Sequence, residues 1–256
     1  MPVNPVEQEL LDAVRDDWIR DGLSTEPADR TNTHLASRDA FASIDEEVYG
    51  QVVIWVQSPM AGVIASTSVG FAFGPPLKSR LMAPLEAALS INIPQAQRVR
   101  REVDKTVWHG ARAAVHKQVA AELEARGDAW EASKREIGSY AWSEIYNEIG
   151  DPVYTNTGWW DKFVTWDGLF EENLVGWEDR MMEGQFGAGM MAQLDALDLL
   201  GAVDPEPFAG LRLIARGCGW WWAQTACVVF CERPAKVEVS GRRVTMEFRD
   251  GWRCST

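Results

Sequence analysis

The chain has 256 residues, 46% of them hydrophobic and 10% aromatic, and its 38 acidic and 25 basic side chains give a formal net charge of −13. That much apolar side chain is enough to outweigh chain entropy and bury a core, which excludes a disordered polypeptide; the charge would repel a phosphate backbone or an anionic bilayer, which argues against nucleic-acid and membrane partners. No stretch approaches the roughly 20 apolar residues of a bilayer span, and residues 1–18 carry Glu7, Glu9, Asp12, Asp16 and Asp17 where a leader would be basic and then apolar, so the expectation is a cytoplasmic protein with a single domain over residues 1–256.

The first helix is read from Val6, Leu10, Val14 and Trp18, which recur every four residues, with Leu11 and Ile19 widening the stripe and Gly22 as its stop. Ser24 or Thr25 is expected to cap a second helix running to about Ala42, with Pro27 in its first turn. Residues 51–57 (QVVIWVQ) are short, β-branched and almost wholly apolar, as in a strand covered on both faces, and Ser58-Pro59 ends them. The Gly-, Ser- and Pro-rich passage from Ala61 to Pro76 reads as a packed loop. From Pro94 to Arg126 a four-residue spacing of Val99, Val103, Val107, Ala111, Val115, Val119 and Leu123 predicts the longest helix, and a further helix is expected to Ile149.

Residues 151–176 are irregular and aromatic, Trp177 to Leu200 reads as a helix stopped by Gly201, and Pro205 to Arg216 as another. The last quarter turns to strands, at Cys227–Glu232 and in a hairpin with Val237 and Val239 on one arm and Val244, Met246 and Phe248 on the other, about Ser240-Gly241. The fold class is therefore α+β: a mainly helical body with a small antiparallel sheet from the C-terminal strands, which the strand near 51–57 joins in the middle.

Chemistry-bearing residues are sparse. The cysteines Cys218, Cys227, Cys231 and Cys254 have no CxxC or zinc spacing and read as buried thiols. His109 and His116 are two turns apart, about 10 Å, too far to share one metal ion, so no metal site is expected; neither a G-x-G-x-x-G after a strand nor a Walker loop is present, so no cofactor is expected either. His109, beside Trp108, is a candidate acid or base, as are Asp195 and Glu178 on the late helix.

Asp29-Arg30 puts a carboxylate and a planar guanidinium fork at the start of a helix, suited to capping or to an anionic ligand. Ser58 leaves the end of an apolar strand, Gln185 sits between Gly184 and Gly187 where a ligand could approach, and Glu232-Arg233-Pro234 ends the strand from Cys227. Thirteen tryptophans, with the pair Trp159-Trp160 and the triplet Trp220-Trp221-Trp222, exceed what a core needs; neighbours on a strand cannot share one face, so one of each run, Trp221 among them, is expected to be exposed or to line a cavity.

Four stretches, Gly22–Arg30 (GLSTEPADR), Val53–Pro59 (VIWVQSP), Gly184-Gln185 and Gly219–Pro234 (GWWWAQTACVVFCERP), resemble in wording and order a bacterial family, domain of unknown function 6745. The chain departs from that pattern at Phe186, where the family often has His, and after the hairpin, where a Leu-His and a Gly-Pro-Ala element are absent and Asp250-Gly251-Trp252 remains. The resemblance implies no named activity. Two functions are expected from the residues: a pocket protein that binds or modifies a small molecule or peptide bearing an acidic group in an aromatic-lined cleft, or a non-catalytic module that docks another protein through exposed tryptophans.

Overall fold

The structure, a computed structural model, describes residues 4–42, 52–70, 78–125, 136, 140, 143, 187–224, 227–240 and 243–255. The expected helix to Ile149, the aromatic passage 151–176, and residues 177–186 with Glu178 and Gln185 lie outside the described residues, except for the isolated helical positions 136, 140 and 143.

Helix α1 (Pro5–Gly22) opens with a reciprocal cap in which the Asn4 side chain accepts the Glu7 amide and Glu7 accepts that of Asn4. Of the expected stripe, Leu11 and Trp18 are fully buried and Val14 and Ile19 pack against the core, whereas Val6 and Leu10 are exposed. Helix α2 (Arg30–Ala42) begins four or five residues later than a Thr25 or Ser24 cap would place it. Asp29 caps it instead, its Oδ1 accepting the Asn32 amide at 3.1 Å, and residues 23–29 remain an irregular loop.

The strand near 51–57 is β1 (Val52–Val56), and the passage expected to be a loop is helix α3 (Pro59–Gly70) over its described part, with residues 71–76 outside the described residues. Ser58 caps α3 and Pro59 occupies its first position. The Gly- and Ser-rich composition misled because Met60 to Ser66 is buried all round, leaving no polar face to give a helical period. Helix α4 spans Lys78–Leu89. The long helix is present as α5 (Pro94–Val103), a π-turn (Asp104–Trp108) closed by the His109 amide on the Asp104 carbonyl, and α6 (His109–Ala125), with helical backbone through both junctions. A strict four-residue spacing drifts about 40° per step around a 3.6-residue helix; Val99, Val103 and Val107 accordingly serve one core cluster, and Val115 and Val119 another.

Helix α7 (Ala188–Leu199) stops at Gly201, whose φ of 65° is the left-handed conformation expected there. The segment from Pro205 is a short 3-10 turn (Glu206–Phe208) followed by α8 (Ala209–Gly217). Helices α2 and α8 lie so close that a Cβ on Gly210 would stand 2.7 Å from the Ala36 carbonyl oxygen.

The tryptophan triplet forms a strand that periodicity did not reveal, β2 (Trp220–Gln224), antiparallel to β3 (Cys227–Cys231). Strand β1 does pair with this C-terminal element, but parallel to β3, Val52 opposite Cys227 and Val56 opposite Cys231, and at an edge: the order is β1-β3-β2, with β3 in the middle. The remaining strands β4 (Lys236–Ser240), β5 (Arg243–Glu247) and β6 (Arg253–Ser255) form a separate antiparallel meander. Ser240 faces Arg243, so the hairpin turn falls one residue beyond Ser240-Gly241.

The fold is α+β, and the β1-β3-β2 sheet divides its two cores. Trp55, Trp221, Ala223, Val228 and Phe230 face a cluster built with the helical body. Val52, Ile54, Val56, Trp220, Trp222, Cys227, Val229 and Cys231 face a second cluster with α3, α6 and the meander. Two covered faces with a period of two explain why these strands are apolar throughout. They also overturn the expectation for the triplet: Trp220, Trp221 and Trp222 are 3%, 4% and 2% exposed, alternating between the cores, and none is left over for solvent. No described helix is long and apolar enough to cross a membrane.

Candidate functional site

Because β1 and β3 run parallel, their C-terminal ends lie side by side, and the Glu232 amide extends the ladder by donating to the Val56 carbonyl at 2.8 Å. Beyond this edge β1 turns through Gln57 and Ser58 into α3, while β3 continues as Glu232-Arg233-Pro234. The loop between α1 and α2 is tied to the same edge: Ala28 donates its amide to Glu232 Oε2 at 3.1 Å, and Asp29 donates its own to the Gly217 carbonyl at 3.2 Å. Three of the four stretches singled out in the sequence thus meet at one place, and the fourth, Gly184-Gln185, is outside the described residues.

Arg30 and Glu232 form the polar centre of this junction. Arg30 Nε donates to Glu232 Oε1 at 2.7 Å, and the guanidinium lies over the Trp55 ring, 5.2 Å from its centroid. The Glu232 side chain is 6% exposed and both its oxygens are engaged, whereas that of Arg30 is 51% exposed and, among the described residues, its Nη1 and Nη2 make no hydrogen bond. Asp29 is committed to the cap, its second oxygen accepting the Asn32 side-chain amide at 2.7 Å.

Ser58 is 2% exposed, and its Oγ accepts the Ala61 amide at 3.4 Å. No base is among its described hydrogen-bond partners, which leaves the capping role and not that of a nucleophile. Arg233 does not converge with Arg30 on a common cationic site. It is 8% exposed, with Nη1 donating to the Asp21 carbonyl at 3.2 Å and Nη2 to that of Arg216, so it holds the last turns of α1 and α8, where helix dipoles favour a cation. Burial lowers its pKa from the usual value. The recess beside it, bordered by Gly22, Cys218, Trp220 and Met246, has a volume of about 20 Å³, room for about one water and not for a metabolite. Trp221 is core, 4% exposed.

Of the acid-base candidates, Asp195 and His109 are among the described residues, and neither bonds to Arg30 or Glu232. Asp195 on α7 accepts the Trp18 indole N–H on Oδ2 at 2.9 Å, while Arg212 Nη2 sits 2.8 Å from Oδ1 as an ion pair without hydrogen-bond alignment. Arg216, stacked 4.2 Å over Trp18, stands 3.8 Å from Oδ2 and also pairs with Asp21. Burial outweighs these cations and raises the Asp195 pKa from its usual range. This network joins α1, α7 and α8, which is a structural task. His109 is exposed at the end of the π-turn, with Asp104 as a charged neighbour; burial raises the Asp104 pKa, and Arg100, 3.4 Å away, opposes that.

Sequence reasoning missed the Trp55 platform, the Arg30–Glu232 pair and the buried Gln193, which donates to the Leu89 carbonyl at 2.9 Å and accepts from Arg100. Trp55 carried a usable signal, since its position in β1 alternates with those of Ile54 and Val56; the pairs joining distant parts of the chain carried none. Among the described residues no group of three or more His, Cys, Asp or Glu is placed to hold a metal ion. Of the tryptophans whose burial is described, five are buried and Trp252 is half-buried, so none offers the exposed ring that a tryptophan-based docking surface needs. No protein-family model, curated protein or solved structure matches this chain.

Proposed function

We propose that this is a cytoplasmic binding protein for a small molecule or peptide bearing an acidic group, with Arg30 as the anchor. The observation that carries this reading is the state of Arg30: its Nε is held by a buried carboxylate and its face rests on Trp55, yet among the described residues its two Nη groups are unspent, on a side chain that is half in solvent. A fork held in that way loses little side-chain entropy when an anion docks. Parallel strand ends, where loops from distant parts of the chain gather, are also where α/β sheets place their ligands. No described acid or base stands free to act on a bound molecule at this junction, so the reading is one of binding.

The test is the melting temperature of the protein against a library of carboxylate and phosphate metabolites, run in parallel on Arg30→Ala. An acidic compound that raises the midpoint of the wild type and leaves the variant's own midpoint unmoved supports the assignment. If every stabilising compound acts equally on both proteins, Arg30 is not the anchor and the reading fails.

A further inference from the structure

Resting on that reading, we infer that the Arg30 site selects a planar monoanionic carboxylate over a phosphate dianion, and that Glu232 sets this selectivity. The charge of Arg30 is already matched by Glu232 at 2.7 Å, and Asp29 precedes it in the chain. Among the described residues, the other cations touching the α1–α2 loop are spent: Arg233 on two helix-end carbonyls, and Arg249 on the Thr25 carbonyl at 3.3 Å. An arriving anion therefore meets hydrogen-bond donors with little net positive field behind them. What remains to be gained is geometric: the Nη1 and Nη2 edge offers parallel N–H groups that fit the two oxygens of a carboxylate. A second negative charge adds repulsion from Glu232 and Asp29, in a protein of net charge −13, without adding a donor.

Glu232 acts through Arg30 and is a positioning residue. Its two oxygens accept from two different donors, the Ala28 amide and Arg30 Nε. Glutamine at this position can accept with only one of its two terminal atoms, and it removes the charge that matches the arginine.

The experiment uses benzoate and phenyl phosphate, which share a ring and differ in the acid, titrated calorimetrically into the full chain at about pH 8 and about pH 5; phosphate esters lose their second proton near about pH 6. Benzoate is expected to bind at least about tenfold more tightly than phenyl phosphate at the higher pH, about 1.4 kcal/mol. The gap should shrink at the lower pH, where the phosphate is a monoanion, with benzoate, ionised at both, reporting any change in the protein itself. Glu232→Gln should narrow the gap at about pH 8, and the two-pH comparison on the wild type decides the matter should that variant not fold. Phenyl phosphate binding as tightly as benzoate at the higher pH, with both lost in Arg30→Ala, overturns the selectivity and leaves the anchor standing. Failure of both probes to bind, or binding that Arg30→Ala does not alter, overturns the anchor as well.

Discussion

Glu232→Ala and Arg30→Ala, made singly and together, separate what the buried carboxylate does for the backbone from what it does for the arginine. Glu232 is 6% exposed and makes two contacts: one to the Ala28 amide at 3.1 Å, inside the junction, and one to an arginine that is 51% exposed. A charged acceptor on a part-buried amide contributes about 1.5–3 kcal/mol, whereas a pair with a half-exposed partner is screened and contributes about 0.5–1 kcal/mol. Glu232→Ala should therefore cost about 2–4 kcal/mol, the sum of both contacts. Arg30→Ala should cost about 1 kcal/mol, because water can reach the face of Glu232 that the arginine vacates. The coupling energy from the double mutant should be about 0.5–1 kcal/mol. Urea unfolding followed by far-ultraviolet circular dichroism measures all three. If Glu232→Ala costs no more than Arg30→Ala, the amide bond to Ala28 contributes nothing, and the argument that Glu232 pins the loop collapses.

Gly210→Ala would drive a methyl group against the Ala36 carbonyl and the Ala40 amide, both backbone; the expected cost is about 1–3 kcal/mol, read as a drop of about 2–4 °C in melting temperature per kcal/mol for a chain of this size. Asp195, with its pKa raised by burial, contributes stability that is fully present below the ordinary aspartate range and is lost as pH rises towards its folded value. The melting temperature of the wild type should accordingly carry a falling component just above that range, and Asp195→Asn should remove it. The four thiols are buried and free, and burial pushes the Cys254 thiol up to about 12 and the other three higher still. A thiol reagent at about pH 8 should find none of them in the native protein and all four in denaturant. Fast labelling of any one without denaturant would show that its segment opens.

The elements that were legible in the sequence are those whose pattern is set by one neighbour. Gly201 ended α7 because only a left-handed residue fits there, and the spacing of the valines from Val99 located the long helix because one face meets a core. Legibility failed at two elements without an alternating pattern, although β1 and β3, just as buried, are legible as runs of β-branched residues. Residues 60–66 of α3 and 220–223 of β2 are buried throughout, so neither period could emerge, and three successive tryptophans looked like surplus until the sheet supplied a core on each side. The parallel pairing of β1 with β3 joins residues 52–56 to 227–231, and no local feature of either strand specifies it. Yet that pairing builds the junction, because antiparallel strands would have sent Ser58 and Glu232 to opposite edges.

Two arginines close to this edge illustrate why residue type alone could not identify the anchor. Each carries five N–H donors. Arg233 gives both of its terminal nitrogens to carbonyls at the ends of two helices, where backbone dipoles already call for a cation, and its burial closes it to any ligand. Among the described residues, Arg30 gives only Nε, to Glu232, and keeps its outer edge free. The sequence presents them alike, each beside an acidic residue at the boundary of an element, Asp29-Arg30 and Glu232-Arg233. The difference lies in which acceptors the fold brings to each guanidinium, so the donors left over after folding, and not the presence of an arginine, mark the place where an anion can bind.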